Sequence, residues 1–120
     1  MRSWLSALVL AAACGTNPVI DDHHDQTQGP NCDASYLTYE NFGEPFVANW
    51  CRGCHSAGLP ANMRQMAPTA ANFDTHDEVL AWSDGIVSKA GGDPASMPPA
   101  GGPSDDERKL LAEWITCGAK

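Results

Sequence analysis

The apolar positions near the C-terminus fall on a helical stripe: Leu110, Leu111, Trp114 and Ile115 stand at i, i+1, i+4 and i+5. Ahead of them Ser104 and Glu107 form an S-x-x-E capping box preceded by Pro103, Asp105 and Asp106 suit the positive end of a helix, and Gly118 supplies the stop. A second box, Thr75 and Glu78, opens a run of Val79, Leu80, Trp82, Ile86 and Val87 that reaches Gly91, with Gly85 as the point where it could be interrupted. A shorter helix is predicted where Pro45 fits a first turn and Phe46, Val47 and Trp50 lead to Cys51. No stretch sustains period-2 alternation with β-branched residues. The expected fold class is therefore all-α, three to four short helices joined by long loops.

The N-terminus follows another pattern. Arg2 is followed by uncharged residues from Trp4 to Ala13, then Cys14, which reads as a signal peptide over 1–13. The apolar run is about half the ~20 residues that a spanning helix needs. Leu10-Ala11-Ala12-Ala13-Cys14 resembles the lipobox of bacterial lipoproteins, which makes Cys14 the candidate lipidation site, although Ala11 and Ala13 also satisfy the ordinary A-x-A cleavage rule. Residues 14–31 hold Pro18, Gly29, Pro30 and the run Asp21-Asp22-His23-His24-Asp25 with almost no apolar periodicity, and read as a flexible tether. Residues 32–120 are left for the folded domain.

That domain has little apolar material. Hydrophobic residues make up 42% of the chain and aromatics 8%, against 11 Gly and 9 Pro, so a staple or a cofactor is expected to help hold it. The formal charge of −8, with only seven Lys and Arg, argues against nucleic-acid binding. It is compatible with a basic partner, and equally with acidity that keeps an exported protein soluble.

The sharpest signal is Cys51-Arg52-Gly53-Cys54-His55, which matches C-x-x-C-H, the attachment sequence for c-type haem. Two thiols three positions apart on a helical turn reach the two vinyl groups of one porphyrin, and the next histidine is carried under the iron. The competing chemistries fit less well. Structural zinc usually wants a second paired knuckle, and a thioredoxin-like motif belongs to a βαβ pattern; neither is present. Five cysteines then divide into three roles: lipid on Cys14, haem on Cys51 and Cys54, and Cys32 with Cys117 left to pair as a disulfide or to remain free.

For the second axial ligand of the iron the candidate is Met97, held in the stiff stretch Ala95-Ser96-Met97-Pro98-Pro99-Ala100-Gly101-Gly102. Met63 and Met66 flank Arg64 close behind the motif and are expected to pack against the haem edge or stay exposed. His76, at a helix start, reads as a surface residue before a ligand. Arg64 either pairs with a haem propionate or is solvated.

With these pieces placed, the chain resembles class I monohaem cytochromes c, over about Cys32 to Lys120. It is most similar to a bacterial group, often lipoproteins, with a pattern like Leu37-Thr38-Tyr39 to Asn41-Phe42-Gly43, then C-x-x-C-H-Ser56, then Met97-Pro98-Pro99, then Trp114-Ile115-x-Cys117-Gly118. The resemblance implies a cytochrome c-like fold around one covalent haem c, a methionine loop closing the haem crevice, and the helix before the motif crossing the C-terminal helix through Phe46 and Trp114. The paired outer cysteines and the segment Tyr36 to Phe42 depart from the commonest members.

The expected function is that of a monomeric periplasmic electron carrier, lipid-anchored to a bacterial membrane, passing single electrons between redox protein partners with His55 and Met97 on the iron and no enzymatic residue. Trp50, Trp82 and Trp114 are expected to pack the core or the haem. Three rival classes follow from the same residues: a haem-based sensor or docked module of a larger redox complex, a peroxidase-like enzyme with an open iron position, and a structural zinc protein.

Overall fold

The computed structural model describes residues 29–120, which are helical with no strand among them. The predicted signal peptide (1–13), Cys14, His23 and His24 lie outside the described residues, as does most of the predicted tether. Among the described residues no helix is long and apolar enough to cross a membrane.

Pro45 begins a helix as its position suggests: α1 spans Glu44–Trp50, and a proline in the first turn loses no intrahelical bond. What the sequence pattern did not show is a π-helical turn, Tyr39–Gly43, running directly into α1. Thr38 and Asn41 cap that turn reciprocally. The Thr38 hydroxyl accepts from the Asn41 N–H at 3.2 Å, and the Asn41 side-chain oxygen accepts from the Thr38 N–H at 2.8 Å. Asparagine here takes the place usually read from Glu or Gln, so the signature escapes a search for S/T-x-x-E/Q.

Both predicted capping boxes form. Thr75 and Glu78 open α2 (His76–Ala81), and Ser104 and Glu107 open α4 (Asp105–Thr116). The run after Thr75 is interrupted, though at Trp82, three residues before Gly85; α3 then covers Ser83–Ala90 with Gly85 inside it. Across the bend Val79 and Ile86 both enter the core while Trp82 stays partly exposed. At the other end of α4, Gly118 takes φ +90°, the left-handed conformation that favours glycine, and turns the chain back so that the Ala119 N–H donates to the Trp114 carbonyl at 2.8 Å.

The core is formed by Val47, Val79, Leu111 and Trp114, all fully buried, with Leu37, Phe46, Phe73 and Ile86 around them. Each such side chain stabilises the fold by about 1.5–3 kcal/mol relative to exposure. Trp114 is met by Gly43 and, edge-on, by Phe42 at 6.1 Å between ring centroids, while Phe46 lies beside Phe42 at 5.5 Å. Phe46 and Trp114 belong to the same buried core, and the π-helical turn adds Gly43 and Phe42 against the indole. Cys32 and Cys117 form a disulfide with Cα atoms 5.1 Å apart, tying the start of the domain to the end of α4. The Ser35 hydroxyl, donating to Glu113 at 2.6 Å, fastens the same segment.

Candidate functional site

Cys51, Cys54 and His55 continue α1 as a further turn. The Cys51 N–H donates to the Val47 carbonyl at 2.9 Å, and the N–H groups of Cys54 and His55 donate to the Cys51 carbonyl at 3.1 and 2.9 Å. This winding puts both thiols and the imidazole on the wall of one cavity of about 540 Å³, within the ~300–1,000 Å³ usual for ligand and cofactor sites. Phe46, Trp50, Phe73 and Ile86 make much of its wall, and the loop residues Met97, Pro98 and Pro99 border it as well.

The imidazole of His55 is held on two sides. Its Nδ1 lies 3.0 Å from the Ala71 carbonyl, and its ring stacks on Phe73 with centroids 4.6 Å apart and planes 16° from parallel. A carbonyl only accepts, so Nδ1 carries the proton, and in the neutral ring the lone pair belongs to Nε2. The Phe73 N–H donates to the His55 carbonyl at 2.9 Å. Arg52, between the two cysteines, donates from Nε to the Phe73 carbonyl (3.0 Å) and from Nη2 to the Asp74 carbonyl (3.1 Å) and the Tyr39 hydroxyl (3.3 Å). The Asp74 carboxylate accepts from the Ala57 N–H at 2.7 Å, and the Ser56 hydroxyl, then that N–H, hold its carboxyl below the usual range.

Arg64 is neither solvated nor on the surface: it is 2% exposed. Its Nη1 donates to the Ser56 carbonyl, and its Nη2 to the carbonyls of Pro68 (2.8 Å) and Ala71 (3.0 Å), so residues 56–71 fold around the guanidinium. Ala71 therefore accepts from both Arg64 and His55. Among the described residues no carboxylate pairs with this cation, and its Nε has no hydrogen-bond partner although the residue borders the cavity. The Asp74 carboxylate feels the guanidinium without touching it, and burying a charge with no anion in contact is costly. Just after it, Gln65 and Met66 take left-handed φ values of 50° and 67°, and Met66 projects fully into solvent at the rim of the cavity.

The other predicted residues divide clearly. Met97 borders the same cavity and is 39% exposed. Met63 is exposed. His76 is engaged elsewhere: its Nε2 lies 2.6 Å from the Ala119 carbonyl and its ring stacks on Tyr39 at 4.2 Å. Trp50 and Trp82 line the cavity and Trp114 sits in the core. Cys51 and Cys54 are in no disulfide, and burial pushes the Cys51 thiol up to about 11, against a weaker pull downward from Arg52. A redox C-x-x-C needs the opposite shift.

These residues fit the group that the sequence implies, a porphyrin attached through two thioethers. Two unpaired thiols share one turn, an imidazole has its Nε2 free, a thioether arrives from a separate loop, the wall is largely apolar, and a buried cation with an orphaned N–H suits a carboxylate-bearing ligand. Compared with protein-family models, curated proteins and solved structures, the chain matches none. Sequence reasoning missed Ala71 and Phe73 as partners of His55, and Arg52 as the brace behind the motif. Phe73, two residues ahead of the Thr75 cap, is the one that a search for apolar residues flanking a helix start could have found.

Proposed function

We propose that the chain is a c-type cytochrome that carries single electrons, exported and lipid-anchored through Cys14. The observation that carries this reading is that Cys51, Cys54, His55 and Met97, from two separate parts of the sequence, border one largely apolar cavity. In this reading Cys51 and Cys54 would hold a porphyrin through thioethers, His55 Nε2 and the Met97 sulfur would hold its iron, and the fold would belong with the class I cytochromes c. A haem bound there supplies an iron centre that alternates between ferric and ferrous by one electron.

The rest of the chemistry is done by the chain. His55 is already oriented by Ala71 and Phe73, so little reorganises when the charge of the site changes. A soft thioether opposite an imidazole favours the reduced state and raises the potential. Were His55 and Met97 both to hold the iron, it would have no position left for a substrate, which is why the carrier reading is preferred to an enzyme.

The test is a mass spectrum of the mature polypeptide from a host with working c-type maturation. The expected mass is that of the chain plus one haem, retained through acid-acetone extraction and lost in the Cys51→Ser, Cys54→Ser variant. Apoprotein mass alone would overturn the proposal.

A further inference from the structure

Met97 is held at both of its own backbone polar groups. Its N–H donates to the Lys89 carbonyl at 2.9 Å, an oxygen that also accepts from the Ser96 N–H at 2.9 Å. Its carbonyl accepts from Arg108 Nη1 at 2.7 Å, and the same nitrogen donates to the Ala90 carbonyl at 2.8 Å. One side-chain nitrogen of α4 therefore grips both the last residue of α3 and the centre of the methionine loop. The last carbonyls of a helix have no intrahelical donor, and Arg108 supplies one while extending the connection to Met97.

The rest of the loop is anchored at its far end. Gly102 lies against the Trp50 ring, where a Cβ would stand 2.4 Å from Cζ3, and Pro103 is buried. Between the two anchors the chain from Gly91 to Ser104 has no helix or strand. Arg108 stands on α4, packed against α3 and tied down by the disulfide at Cys117. A thioether–iron bond is soft, so whether it forms depends on how firmly the loop presents the sulfur.

We propose that Arg108 is the positioning residue for Met97, holding the methionine loop so that its sulfur stays on the iron. The inference rests on the haem reading above and adds to it a residue that touches neither haem nor iron. Arginine suits the role because one Nη carries two N–H groups, enough for both carbonyls, on a planar cation that does not lose its charge.

The experiment uses the haem-loaded protein and its Arg108→Gln and Arg108→Lys variants. Two quantities are read on oxidised protein: the near-infrared methionine-to-iron band, and the affinity for added imidazole. Arg108→Gln should lose most of the band and bind imidazole at least about tenfold more tightly, the effect of losing one charge-assisted hydrogen bond. Arg108→Lys, which keeps a cationic donor, should fall between wild type and Gln. A residue that merely caps α3 would lower the melting temperature of both variants and leave band and affinity alone.

An unchanged band and affinity in Arg108→Gln overturns the inference. Should that variant not fold, wild-type affinity in Arg108→Lys overturns it instead. Wild-type protein that carries haem but shows no methionine band overturns it while leaving haem attachment standing. Apoprotein mass in wild type overturns both readings together.

Discussion

Gly43 lies against the indole of Trp114 so closely that a Cβ on it would stand 2.4 Å from Cζ2 and 2.5 Å from Cη2. The backbone there is ordinary right-handed helix, φ −59° and ψ −54°, so space, not conformation, demands glycine. Gly43→Ala gains up to about 1 kcal/mol in helix propensity, but it must displace a ring that is 1% exposed. Overpacking of this kind costs about 1–3 kcal/mol, and we expect it to win. Thermal unfolding should show a lower midpoint for Gly43→Ala, and an unchanged or raised midpoint would mean that the indole can move aside.

Arg64 gives a second prediction. Arg64→Met keeps much of the side-chain volume but removes the three guanidinium hydrogen bonds to the carbonyls of Ser56, Pro68 and Ala71, leaving each with its one other donor: the Leu59 N–H, the Ala71 N–H and His55 Nδ1. Removing a buried unpaired charge offsets part of that loss, and the net destabilisation should be about 2–4 kcal/mol by denaturant titration. In haem-loaded protein the reduction potential should also fall. With Arg64 gone, the Ala71 oxygen accepts more strongly from His55 Nδ1–H, and the imidazole becomes a better electron donor to the iron.

Met97→Ala separates the carrier from an open-site enzyme. The haem-loaded variant should lose the near-infrared band, show a lower potential, and bind added imidazole more tightly than the parent. Spectra identical to the parent would remove Met97 from the iron.

Replacing both Cys32 and Cys117 by serine should destabilise the domain by about 4.5 kcal/mol in the chain-entropy model, because the disulfide closes a separation of 85 residues. Equilibrium unfolding in urea, with and without reductant, measures it. A loss well under 1 kcal/mol would mean that the unfolded chain already holds its ends together.

What the sequence revealed and what it concealed follow from the range of the interactions. The boxes at Thr75–Glu78 and Ser104–Glu107 are satisfied within four residues, and so their pattern is readable. The parity of the cysteines pointed to the pairing of Cys32 with Cys117. The bend at Trp82 was not readable, because the apolar period continues through it: Val79 and Ile86 stand seven residues apart, the spacing of one face of an unbroken helix, and both are buried. The Thr38–Asn41 cap, and the π-helical turn it starts, went unseen because asparagine stands where a capping box usually has Glu or Gln. Arg64 and Arg108 were hardest of all. Their acceptors are backbone carbonyls, which every residue has and which leave no mark in the sequence.

The Ser104–Glu107 box also gives the domain a pH dependence. The Glu107 carboxylate accepts from the Ser104 N–H at 2.8 Å and from its hydroxyl at 3.0 Å. These bonds, the backbone one foremost, hold the Glu107 carboxyl below its usual range, with a smaller pull from the Trp50 indole. A carboxyl whose folded value is depressed stabilises the fold above its unfolded value of about 4.3, and that contribution is lost as pH falls through the lower folded value. Glu107→Gln keeps an accepting oxygen but cannot ionise, so it lacks the charge that favours the start of α4. Wild type should melt above Glu107→Gln at pH 6, with the gap narrowing steadily below about pH 4 until the two curves meet. A gap that stays constant across that range would show that the ionised form of Glu107 is not what the box depends on.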